Sequence, residues 1–138
     1  MHLSIPSNWS DEDILNKEAK LQVFSRAEEK YVIVINDTKD KFDSDMTLND
    51  YFNLIVKNMK SIIENCKISK VSSKKINGRK CKYISLKGSV SKMKIIYWLN
   101  VIETKNSFAQ IVGWTSQKQE KMNKGDILKV INSFKYKT

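Results

Sequence analysis

Two short runs constrain the fold more than any other feature of the chain. Tyr31-Val32-Ile33-Val34-Ile35 and Ile95-Ile96-Tyr97-Trp98-Leu99 are apolar at every position. Successive side chains of a strand point to opposite faces, so a strand with one wet side carries a polar residue at every second position. A strand without that alternation has both faces covered. A membrane-spanning helix needs about 20 apolar residues, far more than either run supplies. The two runs therefore read as interior strands of a sheet that is shielded front and back.

The neighbouring segments supply the shielding. Leu48, Tyr51, Phe52, Ile55, Met59, Ile62, Ile63 and Cys66 recur at spacings of three and four behind Thr47, with Asp50 placed to complete a capping box. This predicts an amphipathic helix over 47–66. Ser116 with Gln119 makes a second capping pattern, followed by Met122, Ile127, Leu128, Ile131 and Phe134 on the apolar side of a closing helix, whose first turn Gly125 weakens. Leu3 and Ile5 suggest a short edge strand stopped by Pro6, and Ser10 with Asp13 a capped helical turn through Leu15. Strands are expected over 21–25 and 30–36 around an Ala27-Glu28-Glu29 turn, and a charged loop over 37–45. Further strands follow over 68–76, 80–88, 93–103 and 108–115. Asn77-Gly78, a pair that tolerates positive φ, is the strongest hairpin signal among them. Strands joined by tight turns are antiparallel, because a parallel pair needs a long crossover. The expected fold class is α+β: a single domain over 1–138, with an antiparallel β-sheet flanked by helices on both faces, an α/β/α sandwich.

Charge is segregated along this chain of 138 residues and formal net charge +10. Residues 1–50 carry 11 acids and 6 bases, whereas 67–94 carries ten bases and no acid. Such a segment attracts nucleic acid, acidic cell-wall polymer or anionic lipid, and Lys74, Lys75, Arg79, Lys80 and Lys82 are its candidate anion-binding residues. The competing reading is a solvated face: 23 of the 25 bases are Lys, strongly hydrated point charges without the guanidinium fork that reads phosphate or guanine.

Catalytic chemistry has little to draw on. The only histidine is His2, near a terminus, which removes Ser-His-Asp and Cys-His arrangements and HExxH zinc chemistry. Cys66 and Cys81 form no CxxC pair and read as buried free thiols, although two thiols whose Cα atoms came within about 7 Å would be able to bridge. Asp37, Asp40, Asp43 and Asp45 cluster but lack the central glycine and closing glutamate of a calcium loop. Trp9, Trp98 and Trp114 are candidates for a pocket wall, with core packing the better reading for Trp98. No metal or cofactor is expected, and no enzymatic activity. The first residues show no charged, apolar and cleavage-site series of a signal peptide, so the chain as written is expected in the cytoplasm, or outside it if an export segment has been removed.

Several motifs together resemble the PsbP-like family. They are Ser4-Ile5-Pro6-Ser7-Asn8-Trp9, Leu15-Asn16 with Glu18-Ala19, and the run from Tyr31 to Ile35 leading to Lys39 and Phe42. Thr47-Leu48 with Asp50-Tyr51, Ile76-Asn77-Gly78 and Ser133-Phe134 are similar to later marks of the group, so the resemblance spans about residues 4–135. That family includes the photosystem II extrinsic protein, Mog-type import factors and small bacterial proteins, often exported lipoproteins. The resemblance implies an α/β/α sandwich that acts by binding other proteins. It transfers no binding residue, because the matched positions are strand, turn and cap positions, and this chain lacks the lipobox cysteine of an exported member. The function expected is a non-enzymatic bacterial protein-interaction or cell-surface-associated domain. The alternatives are an anion-binding module using 67–94, at a polymer or membrane surface, and a small-ligand carrier.

Overall fold

The computed structural model describes residues 1–11, 16 and 18–136. Its strands are β1 (Leu21–Ser25), β2 (Lys30–Thr38), β3 (Glu64–Ile68), β4 (Ser72–Ile76), β5 (Arg79–Val90), β6 (Met93–Glu103) and β7 (Ser107–Ser116), with helices α1 (Leu48–Ile62) and α2 (Glu120–Asn132). All strand pairings are antiparallel. Across the sheet the order is β1-β2-β7-β6-β5, and β3 and β4 lie along different stretches of the same outer edge of β5.

Both apolar runs lie in strands with neighbours on either side, and their residues alternate between two buried clusters. Val32, Val34, Ile96 and Trp98 join Ile127, Val130 and Ile131 of α2. Ile33 and Leu99 join Tyr51, Phe52 and Ile55 of α1. The α1 cap forms as its sequence predicts: Thr47 Oγ1 accepts from the Asp50 N–H and the Asp50 carboxylate accepts from the Thr47 N–H, both at 3.1 Å. Tyr51 then ties the helix to the sheet, donating its hydroxyl to Asp37 and accepting from Gln110 Nε2 at 3.1 Å.

Five expectations need correction. First, α1 stops at Ile62, and Cys66 lies in β3 rather than at a helix end. Apolar spacing cannot reveal this stop, since it lies in a distant contact: a Cβ on Gly88 would sit 2.3 Å from Ile63 Cγ2 and 2.5 Å from the Glu64 carbonyl. Only glycine lets this segment press so closely on β5, and Asn65 turns through positive φ (54°) as β3 bulges between Glu64 and Lys67. Second, the strand expected over 68–76 is two strands. Ser69 leaves the ladder, its N–H donating to the Ser85 carbonyl and its hydroxyl accepting from the Ser85 N–H. Third, Leu3 and Ile5 form no strand; they pack on the core beside a two-bond bridge between His2 and Lys135.

Fourth, Ser116 caps nothing, because its hydroxyl donates to Glu29; a 3-10 turn over Gln117–Gln119 precedes α2 instead. Fifth, Met122 is 77% exposed, while Asn123 takes the inward position, donating to the Glu28 carbonyl and Thr115 Oγ1. Gly125 lies within α2 without interrupting it. The helical turn expected over 10–15 falls partly on residues outside those described; Ser10 itself bridges to Phe24 of β1.

Candidate anion-binding groove

The two-residue turn Asn77-Gly78, with φ of 47° and 82°, sets the register of the β4–β5 hairpin: Ile76 opposite Arg79, Lys75 opposite Lys80, Lys74 opposite Cys81 and Ser73 opposite Lys82. Strand alternation then divides the five candidate bases. Lys75, Lys80 and Lys82 share the face that carries Ile84, Leu86 and α1, and the Lys82 ammonium donates to Asn49 Oδ1 and lies 5.5 Å from the Phe52 ring centre. Lys74 and Arg79 turn to the other face. The Lys74 ammonium is 4.6 Å from the Tyr83 ring centre, and the Arg79 guanidinium is 5.8 Å from that of Tyr136, whose carbonyl it also reaches.

A groove of about 1040 Å³ opens where this hairpin meets the start of α1 and the β6–β7 turn. Backbone or side-chain atoms of all five candidate bases line it, together with Asn49 and Lys105. Its one acid, Glu103, is held by Lys39 at 2.7 Å. The capping box engages the amides of Thr47 and Asp50 at the start of α1, and lysine side chains of the hairpin bring positive charge to the groove. Asn49 and Lys105 escape sequence reasoning, since they are distant in the chain and carry no local signal.

Several acids elsewhere are engaged. Lys30, only 5% exposed, meets Glu28 at 3.0 Å and Asp126 at 2.6 Å. Burial alone would lower its pKa, but the two carboxylates outweigh this and leave it raised. Lys41 pairs with Asp37 at 3.5 Å. Among the ten bases of 67–94, Lys87 is the one with a carboxylate partner among the described residues, Glu120 at 2.9 Å. The like-charged Lys75 and Lys80 stand directly opposite one another, a pairing that disfavours the free hairpin and that an incoming anion would relieve.

The other sequence candidates find other places. Asp37 accepts from Tyr51 and Asp40 from Thr38, and no three His, Cys, Asp or Glu side chains gather as a metal site among the described residues. Cys66 and Cys81 are free and pack in different clusters. Burial pushes the Cys81 thiol up to about 11, partly offset by the Lys74 ammonium, whose own pKa burial lowers. Trp9 and Trp98 are buried in one cluster, whereas Trp114 packs against the other and stacks on Tyr31 at 5.3 Å, so the three tryptophans share no pocket. Trp98 does border two smaller grooves beside α2, of about 540 and 240 Å³. Among the described residues no helix is long and apolar enough to cross a membrane.

No family model matches the sequence, and no curated protein does. Solved structures do resemble it. LpqN of Mycobacterium tuberculosis, described as involved in cell envelope biogenesis, superposes with a TM-score of 0.73 at 12% identity over 96% of this chain and 80% of its own. A protein of unknown function from Pseudomonas aeruginosa gives 0.68 at 12% identity over 100% of this chain and 86% of its own. The cyanobacterial PsbP of Synechocystis gives 0.64 at 14% identity over 96% and 84%. At such identities the likeness is one of fold: an α+β architecture built on an antiparallel sheet with two helices.

Proposed function

We propose that this chain is a non-catalytic binding domain, a distant PsbP-like α/β/α sandwich, which receives an acidic protein surface in the groove between β4–β5 and α1. Two-sided cover is supported by the alternation of β2 and β6 residues between one cluster built with α1 and another built with α2. The observation that carries the function is the cluster of Lys75, Lys80 and Lys82 on one face, without a carboxylate partner among the described residues, while Glu28, Asp37, Glu103 and Asp126 pair with other lysines. Charge left unpaired on one surface steers and selects an oppositely charged partner. A protein is favoured over nucleic acid because the groove face bears lysines, while Arg79 is turned away against Tyr136. The non-catalytic reading is supported by the exposed side chain of His2, the one histidine of the sequence, which is not enclosed in any site. The fold shared with LpqN is compatible with a setting at a cell surface.

The test is binding of a poly-glutamate peptide to the wild type and to the Lys75→Glu/Lys80→Glu/Lys82→Glu variant, with the fold monitored by thermal unfolding. Binding that weakens at least about tenfold on charge reversal and falls steeply with salt supports the proposal. Equal affinity in the folded variant overturns it. Tighter binding of RNA or of anionic vesicles than of the acidic peptide also overturns it, in favour of a phosphate-bearing ligand.

A further inference from the structure

The two edges of the sheet are finished differently. At β1, Ser10 exchanges two backbone hydrogen bonds with Phe24, at 2.7 and 2.9 Å, so part of that edge is already covered. At the opposite edge, β5 is the one strand that pairs with β4 among the described residues. In a hairpin closed by a two-residue turn, the residues flanking the turn bond to each other, and every second pair after them does the same. Ile76, Lys74 and Ser72 thus direct their backbone groups to β5. The N–H and C=O of Ser73 and Lys75 point outward, and both residues are exposed.

Lysines on such an edge oppose pairing with a second copy of the chain, because the incoming strand would bring lysine against lysine. The same charges favour an acidic strand. A segment laid along β4 would place alternate side chains beside Lys75, in the row that continues to Lys80, and the intervening ones beside Lys74 on the other face. One extended peptide thereby meets the charge on both faces at once.

Building on the acidic-partner reading, we infer that the partner is recognised by strand addition: an extended acidic segment pairs with the outward backbone groups of Ser73 and Lys75 and extends the sheet beyond β4. Main-chain bonds supply the geometry and the flanking lysines select the sequence.

Three nine-residue peptides of alternating Glu and Thr test this. One is unmodified, one is N-methylated on the alternate amides that would face β4, and one is N-methylated on the amides that would face away. Expected are binding of the first and third, slowed exchange of the Ser73 and Lys75 amide protons in the complex, and a loss of about tenfold or more for the second, which cannot donate to β4. Equal binding of all three, or a bound complex without protection of those two amides, overturns strand addition while leaving the basic groove as the binding site. Failure of all three to bind the wild type removes both proposals.

Discussion

Replacing Gly113 by alanine adds one methyl group where α2 crosses β7, and the space for it is already filled. A Cβ there would lie 2.4 Å from Ile127 Cγ2 and 2.9 Å from Ile131 Cδ1, whereas carbon atoms in contact prefer about 3.5–4.0 Å. Ile127 and Ile131 are both fully buried, so the clash is relieved only by lifting α2 from the sheet or by forcing side chains off their rotamers. Overpacking of this kind costs about 1–3 kcal/mol. At about 4 °C per kcal/mol for a chain of this size, the melting temperature should fall by about 4–12 °C. Gly125 supplies the control. It lies in α2, and a Cβ added there would meet no neighbour within 4 Å, so Gly125→Ala removes only backbone freedom and should stabilise by about 0.5–1 kcal/mol. Urea unfolding of both variants measures the contrast. A cycle with Ile127→Ala localises it, since removing Cγ2 should make the Gly113→Ala step cheaper by about 0.5–3 kcal/mol. A neutral Gly113→Ala, or strict additivity with Ile127→Ala, would refute the close approach of α2 to β7.

Tyr51→Phe removes the hydroxyl that donates to Asp37 and accepts from Gln110, and a hydrogen bond to a charged group is worth about 1.5–3 kcal/mol; an unchanged urea midpoint would show that this link does not hold α1 to the sheet. Burial raises the Cys81 thiol to about 11 from an ordinary 9.0, so its contribution to stability is complete below pH 9 and is lost as pH rises towards 11, where the unfolded chain has already ionised. Comparing denaturant midpoints at pH 8 and pH 10.5 should show a decline that Cys81→Ala reduces by about 1–2 kcal/mol, and identical slopes in both proteins would contradict this. Alkylation at pH 8 should modify the partly exposed Cys66 well before the buried Cys81, read by peptide mass spectrometry.

Features encoded by neighbouring residues were the legible ones. The runs around Val34 and Trp98 announce covered strands by their missing polar alternation, although the cover itself comes from distant helices, whereas the Thr47 and Asp50 cap and the Asn77-Gly78 turn depend on contacts within a few positions. The end of α1 was hidden, since Ile63 and Cys66 continue a helical spacing while the reason for stopping is Gly88, far along the chain. Ser116 and Gln119 carry a valid capping pattern, but Glu29, brought in by the β1–β2 turn, takes the serine hydroxyl. The basic segment was visible as a charge run. Its division into Lys75, Lys80 and Lys82 on one face and Lys74 and Arg79 on the other follows from alternation once the hairpin register is known. Asn49 and Lys105 join the groove through tertiary packing, which no local pattern displays.

Lysine acetylation footprinting, with and without a saturating poly-glutamate peptide, tests the location of the acidic-partner site most directly. Lys75, Lys80 and Lys82 should lose reactivity in the complex, while the exposed Lys118 and Lys129 near and within α2 retain theirs. Uniform protection of all lysines, or protection centred on α2, would contradict a binding site on the β4–β5 hairpin.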